Sequence, residues 1–382
     1  MKIKSLILLV AVTAVSYLSS CSIEEGSPLY DGKIVKINYT WEKTADSLQE
    51  STYNTYLSAN TKYFKQNNTG NNGFNYWWNA HVLDVFVDGY MRTNDDAFKT
   101  KMKFLLNGLR ETNGGTYIND YYDDMEWLGL SSLRAYKATG DNEYLNVANL
   151  LWTDIKTGIN AQQGGGVAWR KSQLNYKNTP ANAPAIILAC RLYETQKRAE
   201  DLQTAQALYT WLKNTLVDPN SGQVWDGINS KNDGAIDKNV YTYNQGVFVG
   251  AGLELYKNTG NNMYLVDAVK TANNILADAN VSPGGLLKNE NQGDGGLFKG
   301  ILVRYLTLLA LEPAVKESDR TNYIKFLKYN AETFYTKAIS RPGMLVSPNW
   351  SAMPGTSVDL STQLSGLMLL EAAATLKKQE KI

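Results

Sequence analysis

The feature that most restricts the fold of this chain is a helix–turn–helix pattern that recurs along it. The pattern Leu-x-x-Tyr-Lys-x-Thr-Gly-x-Asn-x-Tyr-Leu occupies residues 133–145 and returns at residues 253–265, an offset of 120 residues (253 − 133). Apolar residues recur around it at three- and four-residue spacing, and its glycine stands where a helix C-cap is expected. A repeated unit of this kind predicts an array of paired helices.

Similar helices begin at comparable intervals along the rest of the chain. Counting back thirteen residues from each such helix end gives starts at Trp77, Asp123, Pro180, Tyr243 and Phe298, and a sixth helix begins near Asp359. Their partner helices are predicted at residues 44–64, 94–110, 142–158, 200–216, 262–278 and 318–336. Several partners carry charges on one face, whereas the helices that follow them are mostly apolar or small, as expected of an outer and an inner ring. The sequence therefore predicts an all-α fold, an (α/α)6 toroid of six helical hairpins.

The first twenty residues have the pattern of an export signal. Lys2 and Lys4 precede an apolar run at residues 6–15 that is too short to span a membrane. The sequence Leu-Ser-Ser-Cys that ends at Cys21 resembles a bacterial lipobox, in which the cysteine becomes the acylated first residue of the mature protein. An ordinary signal peptide is the alternative. We therefore expect lipidation at Cys21 and a protein anchored to the bacterial outer membrane, at the cell surface.

The domain organisation follows from these two patterns. A lipoprotein signal peptide at residues 1–20 is expected to be followed by a tether at residues 21–34 and by one (α/α)6 domain at residues 35–382.

Composition excludes several classes of partner. The chain has 38 Lys and Arg against 37 Asp and Glu, a net charge of +1, so it lacks the basic surplus of a nucleic-acid or anionic-lipid binder. Aromatic residues make up 11% of the chain, and many lie in Gly- and Asn-rich loops, where they suit stacking on an uncharged sugar. We expect no nucleic-acid partner, no membrane contact beyond the anchor, and a monomer.

Two single residues limit the chemistry further. Beyond Cys21 the chain has one cysteine, Cys190, and one histidine, His81. These are too few for a disulfide framework or a zinc site, so no metal is expected. No dinucleotide fingerprint, Walker loop or nucleophile elbow occurs, so no cofactor is expected either. Cys190 is interpreted as a small buried residue and His81 as structural.

The densest group of chemically active side chains lies at residues 119–127, where Asp123 and Asp124 are framed by tyrosines and a tryptophan. Glycosidic bond cleavage needs two carboxyl groups, one to protonate the leaving oxygen and one to attack or shield the sugar carbon. Neighbouring residues place their carboxyls more easily near ~5 Å than near the ~6.5–9.5 Å that an inverting enzyme needs. If both carboxyls take part in the reaction, retention of the anomeric configuration is therefore the expected outcome. The alternative is a helix cap, since Asp is favoured in a first helical turn.

The six inner-helix starts would open on one end of the toroid and bring unusual residues together. Glycine-rich loops lead into several of them, at residues 114–115, 164–166 and 293–296. A cleft lined by Trp, Tyr, Asn, Gln and Asp, with one acid pair at its floor, is typical of a sugar-binding site.

These blocks together resemble glycoside hydrolase family 76, the bacterial and fungal endo-α-1,6-mannanases. The resemblance covers residues 75–305 and rests on Tyr-Tyr-Asp-Asp-Met-Glu-Trp at 121–127, Lys-Asn at 177–178 with Ala-Asn at 181–182, Trp-Asp-Gly at 225–227, Tyr-Asn-Gln-Gly at 243–246 and Phe-Lys-Gly at 298–300, in that order. The ordered set is more specific than the acid pair alone. It implies an (α/α)6 catalytic domain and a retaining enzyme that cleaves α-1,6-mannosidic bonds inside mannan chains.

The resemblance also implies roles for individual residues. Asp123 would be the nucleophile and Asp124 the general acid/base. Lys299 would hold a hydroxyl or neutralise a carboxylate. The other expected substrate-binding residues are Asn79, Asn178, Asp226, Tyr243, Asn244 and Gln245 for polar contacts, and Trp78, Trp127 and Trp225 for stacking, with a place in the core as the alternative for each Trp.

Two other functions remain open at this stage. An (α/α)6 hydrolase acting on another glycan, such as a uronide, should show clustered Arg or Lys in the cleft, and only Lys177 and Lys299 stand at the inner-helix starts. A non-catalytic glycan-binding lipoprotein would use the same aromatic residues but would not need an adjacent acid pair. A purely structural helical scaffold would not need the aromatic loops.

Overall fold

Paired helices fill the part of the chain that this computed structural model describes, residues 37–382. The six outer helices within that range are α1 (Trp41–Tyr56), α3 (Asp96–Thr112), α5 (Asn142–Ile155), α7 (Ala199–Leu216), α9 (Asn262–Ala277) and α11 (Glu317–Lys337). The six inner helices are α2 (Tyr76–Thr93), α4 (Tyr122–Thr139), α6 (Ala183–Gln196), α8 (Thr242–Thr259), α10 (Gly295–Ala310) and α12 (Leu360–Lys378). The export signal and Cys21 lie outside the described residues.

Consecutive inner helices contact one another around a closed ring. Each packs on the next from α2 through α12, and α12 returns to contact α2. Helix α12 also packs against α1, so the last inner helix completes the core with the first outer one. The fold is therefore the (α/α)6 toroid that the repeat predicts, with Thr40–Ile382 as one compact unit. None of the helices within residues 37–382 combines the length and the apolar character that crossing a lipid bilayer requires.

The recurrent sequence pattern forms the turn between an inner helix and the next outer helix. Gly140 and Gly260 end α4 and α8 in the left-handed conformation, with φ of 75° and 68°. The next residues, Asp141 and Asn261, cap α5 and α9 by accepting a hydrogen bond from a backbone N–H of the first turn. Only glycine adopts this φ without strain, and an Asp or Asn side chain satisfies a free N–H, so the pattern fixes the turn.

One predicted boundary was wrong. The first outer helix was expected to reach residue 64, but α1 ends at Tyr56. Leu57 and Phe64 form an antiparallel bridge across a tight turn, in which Thr61 has a φ of 57°. A turn with its own hydrogen bonds replaces the last predicted helical turns.

A small antiparallel sheet interrupts the helical pattern. Its strands are β1 (Ala168–Arg170), β2 (Gln173–Asn178), β3 (Gly227–Ile228) and β4 (Ile236–Asp237), paired in the order β1-β2-β3-β4. The strands come from the loops that lead into α6 and α8. Two of the strands have only two residues, which is too short for a period-two pattern to be recognised in the sequence. Short 3₁₀ turns also occur at Lys156–Gly158, Gln162–Gly164, Thr179–Ala181 and Pro283–Gly285.

An ion-pair network lies inside the ring between α2, α4 and α10. Arg134 bonds to Asp84 and to Asp88, and Arg304 contacts the same two carboxylates at 2.8 and 2.6 Å. These four charged side chains are largely buried, and an unpaired buried charge would destabilise the fold. Each arginine is therefore paired with two carboxylates.

Candidate active site

A cleft with a volume of about 1140 Å³ opens at the N-terminal ends of the inner helices. Its floor and walls come from the first turns of α2, α4, α8 and α10 and from the inserted sheet. The lining residues are Phe74, Asn75, Tyr76, Trp77, Tyr121, Asp123, Asp124, Trp127, Trp169, Gln173, Tyr176, Asn178, Pro180, Asp226, Ser230, Tyr241, Tyr243, Lys288, Asn289, Glu290, Asn291, Asp294, Gly295 and Phe298.

Asp123 has both carboxylate oxygens hydrogen-bonded. Oδ1 accepts from the backbone N–H of Asp124 at 3.0 Å, and Oδ2 accepts from the indole Nε1 of Trp169 at 3.1 Å. Burial raises the pKa of Asp123 to about 7, and these two bonds act in the opposite direction because they stabilise the charged form. Asp123 is thus the member of the pair that is equipped to be ionised.

Asp124 is in a different situation although it is the next residue. No described group donates a hydrogen bond to its carboxylate. Burial raises the pKa of Asp124 well above its usual value, and the charges of Asp123 and Asp294 raise it further. Two carboxyls whose surroundings separate their proton affinities are suited to different roles, an ionised nucleophile and a protonated acid. This agrees with the roles expected from the sequence.

Aromatic rings form the surfaces beside the acid pair. Tyr243 and Phe298 are stacked with their ring centroids 3.8 Å apart and their planes at 3°. The ring centroid of Trp77 lies 6.5 Å from that of Phe298 and 6.4 Å from that of Trp127, and both pairs of rings are tilted. The rings offer flat apolar faces of the kind that pack against sugar rings.

The histidine below this floor is structural in its contacts. His81 is buried, and its ring lies 4.9 Å from Trp127 and 5.6 Å from Trp77. Burial lowers the pKa of His81 to about 3, so the ring is neutral across the physiological pH range. It supports the two indoles from beneath.

Three further carboxylates line the cleft, Asp226, Glu290 and Asp294, and neutral donors hold the first and the last. Asp226 accepts from Asn244 Nδ2 at 3.0 Å and from the hydroxyl of Tyr176 at 3.3 Å, and burial raises the pKa of Asp226 to about 6. Asp294 Oδ1 accepts from the indoles of Trp77 and Trp78, both at 3.0 Å. Such acceptors, fixed by their own donors, are suited to binding hydroxyl groups.

The structure brings half of the sequence-predicted site residues to the cleft. Those that line it are Asp123, Asp124, Trp127, Asn178, Asp226 and Tyr243. Those that do not are Trp78, Asn79, Trp225, Asn244, Gln245 and Lys299. Of these, Trp78 and Asn244 hold a cleft carboxylate from behind, through the bonds described above.

Asn79 and Gln245 each form hydrogen bonds to the backbone of a loop, in an arrangement that recurs in the fold. At the start of each of four inner helices, an amide side chain bonds to the backbone of the loop before the helix. In three cases it bonds to both the N–H and the carbonyl of one residue. These loop-holding amides are Asn79 on Phe64, Asn182 on Val167, Gln245 on Val224 and Gln363 on Val346 and Met344. Their bonds satisfy buried backbone groups, which explains the amides without a sugar.

Trp225 and Lys299 also make their contacts outside the cleft lining. The amine of Lys299 donates to the carbonyl of Pro348 and lies 4.7 Å from the ring of Trp350, with 1% of the residue exposed. Burial lowers the pKa of Lys299 to about 8. The ring of Trp225 is covered by the amine of Lys238 at 4.5 Å.

Several cleft residues were not identified from the sequence. Trp77 was counted as a helix start in register with Asp123, and Asp294 lies in a glycine-rich loop before another start. The sequence pattern could therefore have placed both residues at the cleft. Trp169 lies on β1 and had none, because its strand was not recognised. Among residues 37–382 no three His, Cys, Asp or Glu side chains are grouped as metal binding would require.

Comparisons with known proteins agree with this geometry. The family model described as glycosyl hydrolase family 76 matches residues 40–381. A mannan endo-1,6-alpha-mannosidase of Candida glabrata is 23% identical over 209 residues, covering 50% of this chain and 47% of that protein, so the match spans about half the length of the curated relative.

Solved structures match over more of the chain. The GH76A alpha-1,6-mannanase from Salegentibacter sp. HEL1_6 is 50% identical with a TM-score of 0.86, covering 88% of this chain and 99% of that one. An inactive variant of that enzyme with both of two adjacent aspartates changed to asparagine is solved in complex with alpha-1,6-mannotriose, at the same identity and coverage. The Lin0763 protein from Listeria innocua is 39% identical with a TM-score of 0.84, covering 89% and 99% of the two chains.

Proposed function

This chain belongs to glycosyl hydrolase family 76, and we propose that it is a retaining, endo-acting enzyme that cleaves α-1,6-mannosidic bonds in mannan backbones. The observation that carries the proposal is the adjacent acid pair at the floor of an aromatic cleft, with one carboxylate hydrogen-bonded twice and the other free of donors. The solved 50% identical mannanase, inactivated by changing two adjacent aspartates, supports the same chemistry.

The reaction proceeds in two steps. Ionised Asp123 attacks the anomeric carbon while protonated Asp124 gives its proton to the leaving oxygen, which forms a covalent mannosyl-enzyme and releases the reducing-end fragment. Asp124, now ionised, removes a proton from water as the water attacks the anomeric carbon, and Asp123 leaves as a carboxylate. Two inversions give net retention, and Asp124 ends protonated as it began.

The cleft supplies the other requirements of a mannan site. Trp77, Trp127 and the stacked pair of Tyr243 and Phe298 provide surfaces for sugar rings, and Asp226 accepts hydrogen bonds from hydroxyls. Lys288 is the one basic side chain among the described lining residues, which favours a neutral glycan over a uronide.

Hydrolysis of linear α-1,6-mannan by the wild type, Asp123→Asn and Asp124→Asn tests the proposal, with product anomers followed by proton NMR. We expect oligosaccharides of retained configuration from the wild type alone. Binding of α-1,6-mannotriose without any hydrolysis by the wild type would indicate a glycan-binding protein instead. Inverted products would overturn the roles of the two acids.

The N-terminal sequence supports a second part of the proposal, the location of the enzyme. We propose that Cys21 carries the lipid anchor that holds a monomer on the outer face of the outer membrane. Incorporation of an alkyne-labelled fatty acid into the wild type but not into Cys21→Ala tests the anchor. Digestion of intact cells with added protease tests the outer face, and analytical ultracentrifugation of the chain from residue 35 tests the monomer.

A further inference from the structure

The second oxygen of Asp123 is held by a residue from outside the helical toroid. Asp123 lies in the first turn of α4, whereas its indole partner, Trp169, is on β1 of the inserted sheet. The bond from Nε1 to Oδ2 is 3.1 Å long, and it is the one side-chain bond that any described residue makes to the pair of acids. The sheet therefore contributes directly to the geometry of the reacting carboxylate.

The indole of Trp169 is fixed on three sides. Tyr121 and Tyr176 meet it edge-on, with ring centroids at 5.1 and 5.6 Å and interplanar angles of 68° and 81°. The guanidinium of Arg170 lies 4.9 Å from the indole centroid and also donates to the hydroxyl of Tyr121 at 3.2 Å. A ring packed in this way presents its N–H in one direction.

The hairpin that carries Trp169 is anchored at both ends. At the tip, the backbone N–H of Lys171 and the hydroxyl of Ser172 both bond to Asp120 at 2.9 Å, three residues before the nucleophile. At the base, Asn182 holds the backbone of Val167 at 2.7 and 3.0 Å. The loop before α4 and the hairpin are thus tied together, which sets the distance between the indole and Asp123.

We propose that Trp169 is a positioning residue for the nucleophile, whose indole N–H holds the Asp123 carboxylate in one orientation and stabilises its charged form. The inference rests on the function proposed above. A hydrogen bond to a charged acceptor is stronger than one to a neutral acceptor. The N–H therefore interacts more strongly with the free carboxylate than with the ester of the mannosyl-enzyme.

This difference between carboxylate and ester predicts which step depends on Trp169. When water attacks the mannosyl-enzyme, the bond from the anomeric carbon to Asp123 breaks and its electron pair returns to the carboxylate. The indole donor favours that charge, so its loss slows breakdown of the intermediate more than its formation. Orientation of the carboxylate contributes to both steps.

Several titratable groups surround Asp123 and affect how readily it ionises. Asp124 and Glu126 face it from its own helix, Asp294 from the start of α10 and Tyr243 from α8. The acids disfavour a further negative charge. The cation that lies against the indole is Arg170, whose guanidinium stands over the ring at 4.9 Å from its centroid. The bonds from Trp169 and from the Asp124 backbone therefore favour the ionised form of Asp123 against these charges.

Trp169→Phe removes the N–H and keeps an aromatic ring between Tyr121 and Tyr176. We expect the acidic limb of the pH profile of kcat/KM on α-1,6-mannan to move upward by about one pH unit. With the 4-nitrophenyl α-glycoside of α-1,6-mannobiose, we expect kcat to fall roughly tenfold or more and KM to fall with it, because the mannosyl-enzyme accumulates. Intact-mass measurement of acid-quenched enzyme should show that species.

Trp211→Phe is the matched control. Its indole Nε1 donates to the carbonyl of Gln163 at 2.9 Å, outside the cleft, so the variant loses an indole hydrogen bond to a neutral acceptor. It should lose stability without any change in the pH profile. Ser172→Ala removes one bond at the exposed tip of the hairpin and keeps the indole, so it should fold and move the acidic limb in the same direction by less.

A readout without substrate separates this inference from the proposed function. Carbon-13 NMR titration of enzyme labelled at the aspartate carboxyl carbons follows Asp123, whose signal is identified by its absence in Asp123→Asn. A higher pKa in Trp169→Phe supports the inference whether or not mannan is the substrate. An unchanged pKa, or an unchanged acidic limb in an active Trp169→Phe enzyme, overturns it, and a wild type that is inactive on mannan counts only against the proposed function.

Discussion

Asp123 and Asp124 are neighbours in sequence, yet their chemistry differs because different groups reach them. The pair itself could be identified from the sequence, since two adjacent acids at the start of an apolar helix are a local pattern. Their assignment to roles in the structure depends on Trp169, which is 46 residues away along the chain from Asp123 (169 − 123). No local pattern encodes a contact of that separation.

The acid pair should reduce the stability of the folded enzyme. A carboxyl whose folded pKa is raised takes up a proton more readily in the folded than in the unfolded state, so the folded state loses stability as pH rises from about 4 to about 7. We expect Asp124→Asn to increase the free energy of unfolding by on the order of 2 kcal/mol at pH 8 and by little at pH 4. Urea unfolding at the two pH values measures this.

Asp123→Asn should increase the free energy of unfolding by less than Asp124→Asn does. Its carboxylate accepts two hydrogen bonds, and an asparagine has one acceptor oxygen, so one donor loses its partner. Glu50→Gln, at an exposed position on α1, is the control for the removal of one negative charge. A gain for Asp124→Asn that is as large at pH 4 as at pH 8 would contradict the assignment of its cause to ionisation.

The loop-holding amides show why some predicted site residues have another role. Asn79, Asn182 and Gln245 each stand two residues after a counted helix start, at Trp77, Pro180 and Tyr243. A residue that acts on the substrate has no reason to recur at one register position in several hairpins, whereas a residue that holds the loop of its own hairpin does. The repeat register thus contained the signal, but polar residues in a cleft-facing turn were interpreted as sugar ligands.

Loss of one amide should affect activity only where its loop reaches the cleft. Asn182→Ala and Gln363→Ala each leave buried backbone groups without partners, which costs about 1–3 kcal/mol of stability. We expect kcat/KM on α-1,6-mannan to fall about tenfold for Asn182→Ala, because Val167 leads into the strand of Trp169. Gln363→Ala should retain near-wild-type kcat/KM when its folded fraction is taken into account. Equal losses in both variants would indicate a general effect of destabilisation.

Glycines set the contact between the inner helices α8 and α10. A Cβ on Gly246 would lie 2.5 Å from the Cα of Leu302, which is backbone and cannot rotate away. Gly246→Ala should therefore push the helices apart and cost about 1–3 kcal/mol in thermal or urea unfolding. Gly355→Ala is the control, because nothing lies within 4 Å of the position of its Cβ. A stable Gly246→Ala would show that the helices separate without loss of packing.

The arrangement of the whole ring was more predictable than its insertions. Helical spacing, glycine caps and the alternation of charged and apolar helices are local properties, and they determine twelve helices within residues 37–382 to within a few residues at most ends. The sheet was missed because its strands are stabilised by pairing between loops before α6 and α8. Such pairing is visible only once the helices have brought the two loops together.

Closure of the ring depends on a seam where the last inner helix, α12, meets α1 and α2, the first two helices within residues 37–382. Glu371 of α12 accepts from Arg92 of α2 at 2.8 and 3.1 Å and from Gln49 of α1 at 3.0 Å. Arg92 also bonds to Asp46 of α1 at 2.7 Å. These residues are more than 270 positions from Glu371 along the chain, so the seam is a long-range contact that forms only in the closed toroid.

Removing one partner of the seam should therefore destabilise the entire ring. Glu371→Ala leaves the mostly buried Arg92 with an exposed partner only, so we expect a loss of about 3 kcal/mol in urea unfolding. The double variant Arg92→Met with Glu371→Leu removes both charges and should recover most of that stability. If the closed ring unfolds as one unit, tryptophan fluorescence and far-UV circular dichroism should give coincident transitions for Glu371→Ala. An early transition seen by one probe alone would mean instead that the seam opens while the remaining hairpins stay folded.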